Sequence, residues 1–193
     1  MAISIPADLT IVTLRSHGRE LAQRWTEAYA ASVLQQASGL LKSRANIEFL
    51  RASCVQVVQE MPAGAAADTV DGAGYHFLTT AHAAGDGVRV ILVDRATAPE
   101  LGGDSRRETL VCLIAYGADP AATARMMAHE LGHLLALPHV DSGRRSAPGQ
   151  ENQIKAWMRN LMYSGALNPA AELTPTQVQA ARSSPLARRF GGR

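Results

Sequence analysis

The sequence predicts an α/β protein: a mixed, twisted sheet packed on two long helices, with a small irregular lobe at the C-terminal end. Two observations carry that expectation. Apolar, β-branched runs at 9–14, 47–59, 88–93 and 110–115 have the length and composition of strands. They alternate with helical patterns at 17–42 and 120–135, the order of an α/β protein. At 193 residues, 47% hydrophobic and 19% charged, the chain is expected to form one domain with a real core. Its division would be an N-terminal sheet-and-helix lobe over 1–137 and a C-terminal lobe over 138–193.

Taken in order, Leu9–Leu14 is a buried strand. Ser16 stands where it could cap the following helix, in which Leu21, Trp25, Tyr29, Val33 and Leu40 recur at roughly helical period as core residues. Ile47–Leu50 and Ser53–Gln59 make a second strand, broken at Arg51–Ala52, and Met61–Gly74 is a Gly-rich loop. Tyr75–His82 fits a short helix or a strand; its His76 and His82 have no ligand-spaced companions and read as surface or hydrogen-bonded histidines. Val88–Val93 is a strand, Arg95–Ser105 an irregular connection with Pro99 and Gly102-Gly103, and Leu110–Ala115 a further strand.

Asp119 followed by Pro120 marks a helix start, with an N-cap carboxylate and proline at the first helical position. From there to Leu135 one side is apolar (Ala124, Met127, Ala128, Leu131, Leu134, Leu135), while Met126, His129 and His133 share the other. Residues four apart on a helix lie about 40° apart around its axis, so both imidazoles project from one face. That spacing suits a single Zn²⁺ with nitrogen ligands at about 2.0–2.1 Å. Glu130 sits to one side of this face, suited to act as a general base. Pro138 ends the helix and lets the chain swing His139 back as third ligand, leaving a fourth position for water.

His129-Glu130-x-x-His133-x-x-Ala136-x-x-His139 resembles the metzincin zinc-endopeptidase motif, with Ala136 where that family has glycine. Asn160-Leu161-Met162-Tyr163 resembles the family's Met-turn, a tight loop that puts a methionine beneath the metal, and its Leu-Met-Tyr order is nearest the matrixins. The resemblance implies a zinc-dependent endopeptidase. A metal-activated water would attack the peptide bond, Glu130 would act as general base, and the cofactor would be Zn²⁺ held by His129, His133 and His139. It implies Met162 as support for the site, Tyr163 in the wall of a substrate pocket, and a sheet edge near Gly102 and Gly103 along which an extended peptide lies. A non-glycine residue at 136 would be strained, or the turn would be built differently.

Downstream, Asp141–Asn152 is a loop in which Asp141 either orients a histidine or is solvated. Gln153–Arg159 reads as a helical turn or two. Leu173-Thr174-Pro175-Thr176-Gln177 is a capping box opening a last helix to Ser183, and the basic tail Ala187–Arg193 is expected to fray. Cys54 and Cys112 read as buried free thiols. The net charge of +2 indicates no bias toward nucleic acid or membrane, no run spans a bilayer, and no signal peptide is visible. The resemblance implies a peptide or protein substrate; a monomer is expected, working either inside the cell or as the mature form of an exported protein. Two alternatives stay open: a zinc-binding protein without protease activity, and a DNA-associated metalloprotease with a different third ligand.

Overall fold

The computed structural model describes residues 1–16, 18–61, 70, 72–82, 85–96, 103–141, 151–165 and 170–192. Strand β1 (Ile3–Ser16) lies inside the sheet, parallel to β3 (Ile47–Glu60) on one side and to β4 (Val88–Val93) on the other. Next come β6 (Val111–Ala115), parallel to β4, and β5 (Gly103–Arg106), antiparallel to β6 at the sheet edge. A two-residue strand β2 (Arg19–Glu20) folds back on the end of β1. The sheet is therefore mixed, as the alternation of strand and helix patterns predicts.

Helices α1 (Glu27–Ala45) and α3 (Pro120–Leu134) cover one face. There Ile5, Leu9 and Ile11 of β1 and Val90 and Leu92 of β4 meet Val33, Leu34 and Leu41 of α1 and Met127, Leu131 and Leu134 of α3. Each such side chain contributes roughly 1.5–3 kcal/mol by leaving water. On the opposite face Val12, Ile91, Val93, Val111 and Leu113 pack around Leu78 of α2 (Gly72–Ala81). Cover on both faces explains why β4 reads as a nearly unbroken apolar run. Three further helices, α4 (Glu151–Met158), α5 (Pro175–Ser183) and α6 (Pro185–Gly191), follow among the described residues.

Several expectations change. The first helix begins at Glu27 and not near 17, capped by Thr26, whose hydroxyl accepts from the Tyr29 N–H. Ser16 instead ends β1, and Trp25 packs in the core from just outside the helix, donating Nε1–H to the Val93 carbonyl at 2.9 Å. The expected break at Arg51–Ala52 is a bulge within a continuous β3: Ala7 pairs Arg51 while Asp8 pairs Ser53. Tyr75–His82 resolves as helix, and part of the Arg95–Ser105 connection resolves as β5. The tail does not fray up to Gly192: Ser184 caps α6, whose Leu186 and Ala187 are buried in the core. Cys112 is buried and Cys54 only half-buried; both are free thiols.

Candidate metal centre

The α3 helix begins as its sequence requires, with the Asp119 side chain accepting from the Ala121 N–H at 2.9 Å and Pro120 in the first turn. Its apolar side anchors it against the sheet and α1, which holds the opposite face still. Its C-terminus is a Schellman motif. The Ala136 N–H donates to the His133 carbonyl at 2.9 Å and the Leu137 N–H to the Gly132 carbonyl at 3.0 Å. The residue between cap and exit must be left-handed, and Ala136 is, with φ +66°. The turn is thus the one a glycine would serve, and the alanine carries the strain.

Reversal of the chain through Ala136 and Pro138 brings His139 onto the two helical histidines. The three Nε2 atoms lie 3.2 Å (His129–His133), 3.1 Å (His129–His139) and 3.0 Å (His133–His139) apart. On the other edge of each helical imidazole stands a carbonyl: Leu161 O is 2.7 Å from His129 Nδ1, and Leu137 O is 2.7 Å from His133 Nδ1. A carbonyl can only accept, so both Nδ1 atoms carry the proton and both Nε2 atoms present lone pairs. Lone pairs 3.2 Å apart repel unless a cation lies between them. Tetrahedral zinc with bonds of about 2.0–2.1 Å needs nitrogens about 3.3–3.4 Å apart. The observed triangle meets that to within a few tenths of an ångström.

Burial pushes the His129 imidazole down to about 4, against the pull of the Leu161 carbonyl and with help from the two neighbouring imidazoles. It is therefore neutral, the form that binds metal, at ordinary pH. Among the described residues His129, His133 and His139 form a complete three-member group able to hold a metal ion. Glu130 is buried at 5% exposure on the same helix, one residue from His129.

The segment that orients His129 is a turn over 160–163. The Tyr163 N–H reaches the Asn160 carbonyl at 3.2 Å, and the Asn160 side chain accepts from the Met162 N–H at 2.9 Å. Asn160 is clamped in turn by Gln177, the capping-box residue of α5, through two side-chain hydrogen bonds at 2.8 and 3.2 Å. Met162 is fully buried, and its Sδ would lie 2.6 Å from a Cβ built on Gly132. Glycine at 132 is what lets the methionine pack directly on α3.

No family model and no curated protein matches the chain. Among solved structures, the archaemetzincin of Methanopyrus kandleri aligns with a TM-score of 0.52 at 13% identity, covering 98% of this chain and 96% of that one. The fold is archaemetzincin-like. Within it, β5 is the edge strand beside the histidines, and a cavity of about 610 Å³ opens between Ser105, Arg107 and Glu108 on one side and His133, Ala136, Leu137 and Pro138 on the other.

Of the residues singled out from sequence, His129, Glu130, His133, His139 and Met162 are brought together on or against α3. Tyr163 is half-buried and its ring closes over Gly165. Gly103 begins β5, and Gly102 lies outside the described residues. Asp141 orients no histidine directly: its carboxylate accepts from the Ser164 N–H at 3.2 Å and from the Ser164 hydroxyl. Burial works to raise the Asp141 carboxyl, but the Ser164 donors and the nearby His139 outweigh it and hold it below the usual range. With the Val140 N–H on the Met162 carbonyl at 2.8 Å, this clasp ties the His139 segment to the 160–163 turn. Sequence reasoning missed the Leu161 and Leu137 carbonyls and Ser164. A carbonyl leaves no residue-type signal. His76 faces Arg106 at 3.2 Å, and His82 is half-buried with its Nε2 unpartnered among the described residues.

Proposed function

We propose that the chain is a zinc-dependent endopeptidase whose His129, His133 and His139 hold the ion and whose Glu130 is the general base. The observation that carries this is the triangle of Nε2 lone pairs at 3.0–3.2 Å, with Nδ1 of His129 and of His133 committed to a carbonyl. Three histidines with a cavity alongside are the donor set of an open, catalytic zinc site, whereas a structural site closes with four protein ligands. Likeness to an archaemetzincin in fold supports the same reading, as does the metzincin-like spacing of the motif. His139 in the triangle leaves no observation favouring a different third ligand.

Zinc, when bound, supplies Lewis acidity that polarises a scissile carbonyl and acidifies water. The chain does the rest. Glu130 takes the proton of the attacking water and delivers it to the departing amine, the one group needed to do both because the two transfers are sequential. Leu161 and Leu137 keep the imidazole rings of His129 and His133 turned inward through their Nδ1–H bonds. Met162 and the Asp141–Ser164 clasp hold the third histidine's segment against the helix. An extended peptide would lie along β5, with Gly103 at its start and Tyr163 contributing to the substrate pocket.

The test is the hydrolysis of an unstructured protein by the zinc-loaded chain. Glu130→Ala should keep its zinc and lose hydrolysis by about 10²–10⁴-fold. His129→Ala and His133→Ala should lose the zinc itself by elemental analysis. Turnover unchanged in Glu130→Ala would refute the mechanism, and full zinc content in the histidine variants would refute the ligand assignment.

A further inference from the structure

We propose that the outer edge of β3 pairs with β3 of a second copy of this chain, antiparallel about a twofold axis through Gln56, so that one sheet runs through a dimer. Among the described strands β3 borders only β1, and its other edge faces outward. It is 14 residues long, against about five or six for an ordinary strand. The Phe49 N–H is taken by the Ser38 hydroxyl of α1 at 2.8 Å. Over 50–59 no described residue bonds the outward backbone groups. The side chains there are open too, with Val55 46% and Val58 51% exposed. Proteins usually guard such an edge with proline, lysine or an inward charge. Residues 52–59 carry none of these.

The strand complements itself, which is why a second copy is the occupant. Arg51 stands at one end of the uncharged run and Glu60 at the other, both on the side of the sheet that α1 covers. Antiparallel pairing sets each beside the opposite charge of the other copy, whereas parallel pairing sets like against like. Glu60 has no ion pair among the described residues, and Arg51 holds only the exposed Glu27, at 2.8 Å. A twofold axis normal to the sheet keeps each face on its own side, so residues that meet must share a face. With Gln56 on the axis, Val55 meets Val57 of the other copy, Cys54 meets Val58 and Ser53 meets Gln59. Apolar then faces apolar, and polar faces polar. Centring on Val55 instead puts Val57 against Ser53, and centring on Val57 puts Cys54 against Glu60. Pairing over 53–59 spans about 23 Å of edge, a strip about 10 Å deep. It buries less than the ~1,200 Å² of a stable complex, so the dimer is weak and the expected monomer is its dilute form. β1, β4 and β6 separate β3 from β5, which leaves the histidine cleft of each copy open.

The experiment follows the zinc-loaded full chain by sedimentation equilibrium from about 1 to about 500 µM. Its mass should rise reversibly from 20.5 kDa toward twice that value. Val55→Lys puts two like charges close to the axis and should weaken association at least about tenfold, with zinc content, Tm and hydrolysis per chain unchanged. Arg51→Glu and Glu60→Arg should each weaken it about 2- to 20-fold, since each pair occurs twice. The two together should restore it, an outcome that misfolding cannot produce. Register is read by oxidation in a Cys54→Ser background. Gln56→Cys faces its own copy with Cα atoms about 4.5–5.5 Å apart, within disulfide reach, and should trap a covalent dimer. Val58→Cys lies about 14 Å from its copy and should not. A constant monomer mass at every concentration, a dimer retained in Val55→Lys, or faster trapping at 58 than at 56 overturns the proposal. None of these readouts depends on the peptidase reading.

Discussion

Ala136 holds φ +66° in the turn that closes α3, and its methyl group is what makes that backbone unfavourable. Left-handed geometry costs a non-glycine residue roughly 1–2 kcal/mol. Glycine removes that cost but adds roughly 0.5–1 kcal/mol of backbone entropy to the unfolded chain. Ala136→Gly should therefore stabilise the protein by about 0.5–1 kcal/mol, or raise Tm by about 1–4 °C for a domain of this size. Urea melts of chelator-treated protein measure it, provided the slope with denaturant is unchanged. Ala180→Gly is the control. Ala180 is exposed within α5 and is not among the positive-φ residues, so the same chemical change there should lose roughly 0.5–1 kcal/mol. A loss of stability at 136, with the same sign as at 180, would refute the account of the turn.

Gly132→Ala should cost about 1–3 kcal/mol, because the new Cβ would meet Met162 Sδ at 2.6 Å and Met162 is fully buried. Combined with Met162→Ala, the loss should be less than additive by about 1 kcal/mol, and strict additivity in urea melts would exclude the contact. Removing the metal from protein held at a thousandfold excess of zinc over its Kd should lose about 4 kcal/mol, a fall of about 8–16 °C in Tm by calorimetry; an unchanged Tm would count against a zinc site. His82 is held below its ordinary range by burial and then by Arg89. The unfolded chain accepts the proton first, so stability present above about pH 6.5 is lost as pH falls toward the folded pKa. Metal-free His82→Gln should lose less stability than wild type between about pH 7.5 and about pH 5.5, and parallel losses would contradict the assignment.

What was legible in the sequence was local. The Asp119-Pro120 start, the Thr174–Gln177 capping box and the i, i+4 histidines each depend on neighbours within a turn of helix, and each is found in place. Local sequence misplaces the start of α1 because Ser16 is in isolation at least as good a cap as Thr26, the one the fold uses. Pairing of Arg15 and Ser16 with β2 decided between them, which is a tertiary fact. β5 was hidden because four residues of an edge strand carry no burial pattern, and α6 because two arginines masked the buried Leu186 and Ala187.

By itself, then, the sequence determined the spacing of the three histidines, the glutamate beside the first and the apolar back that holds their helix, all consequences of the 3.6-residue period. The tertiary structure alone decided which atoms point where. The carbonyl that turns His129 inward belongs to Leu161, 32 residues further along, and the strain at Ala136 is a matter of φ. Such facts depend on which distant segments the core brings together, and no local propensity encodes them.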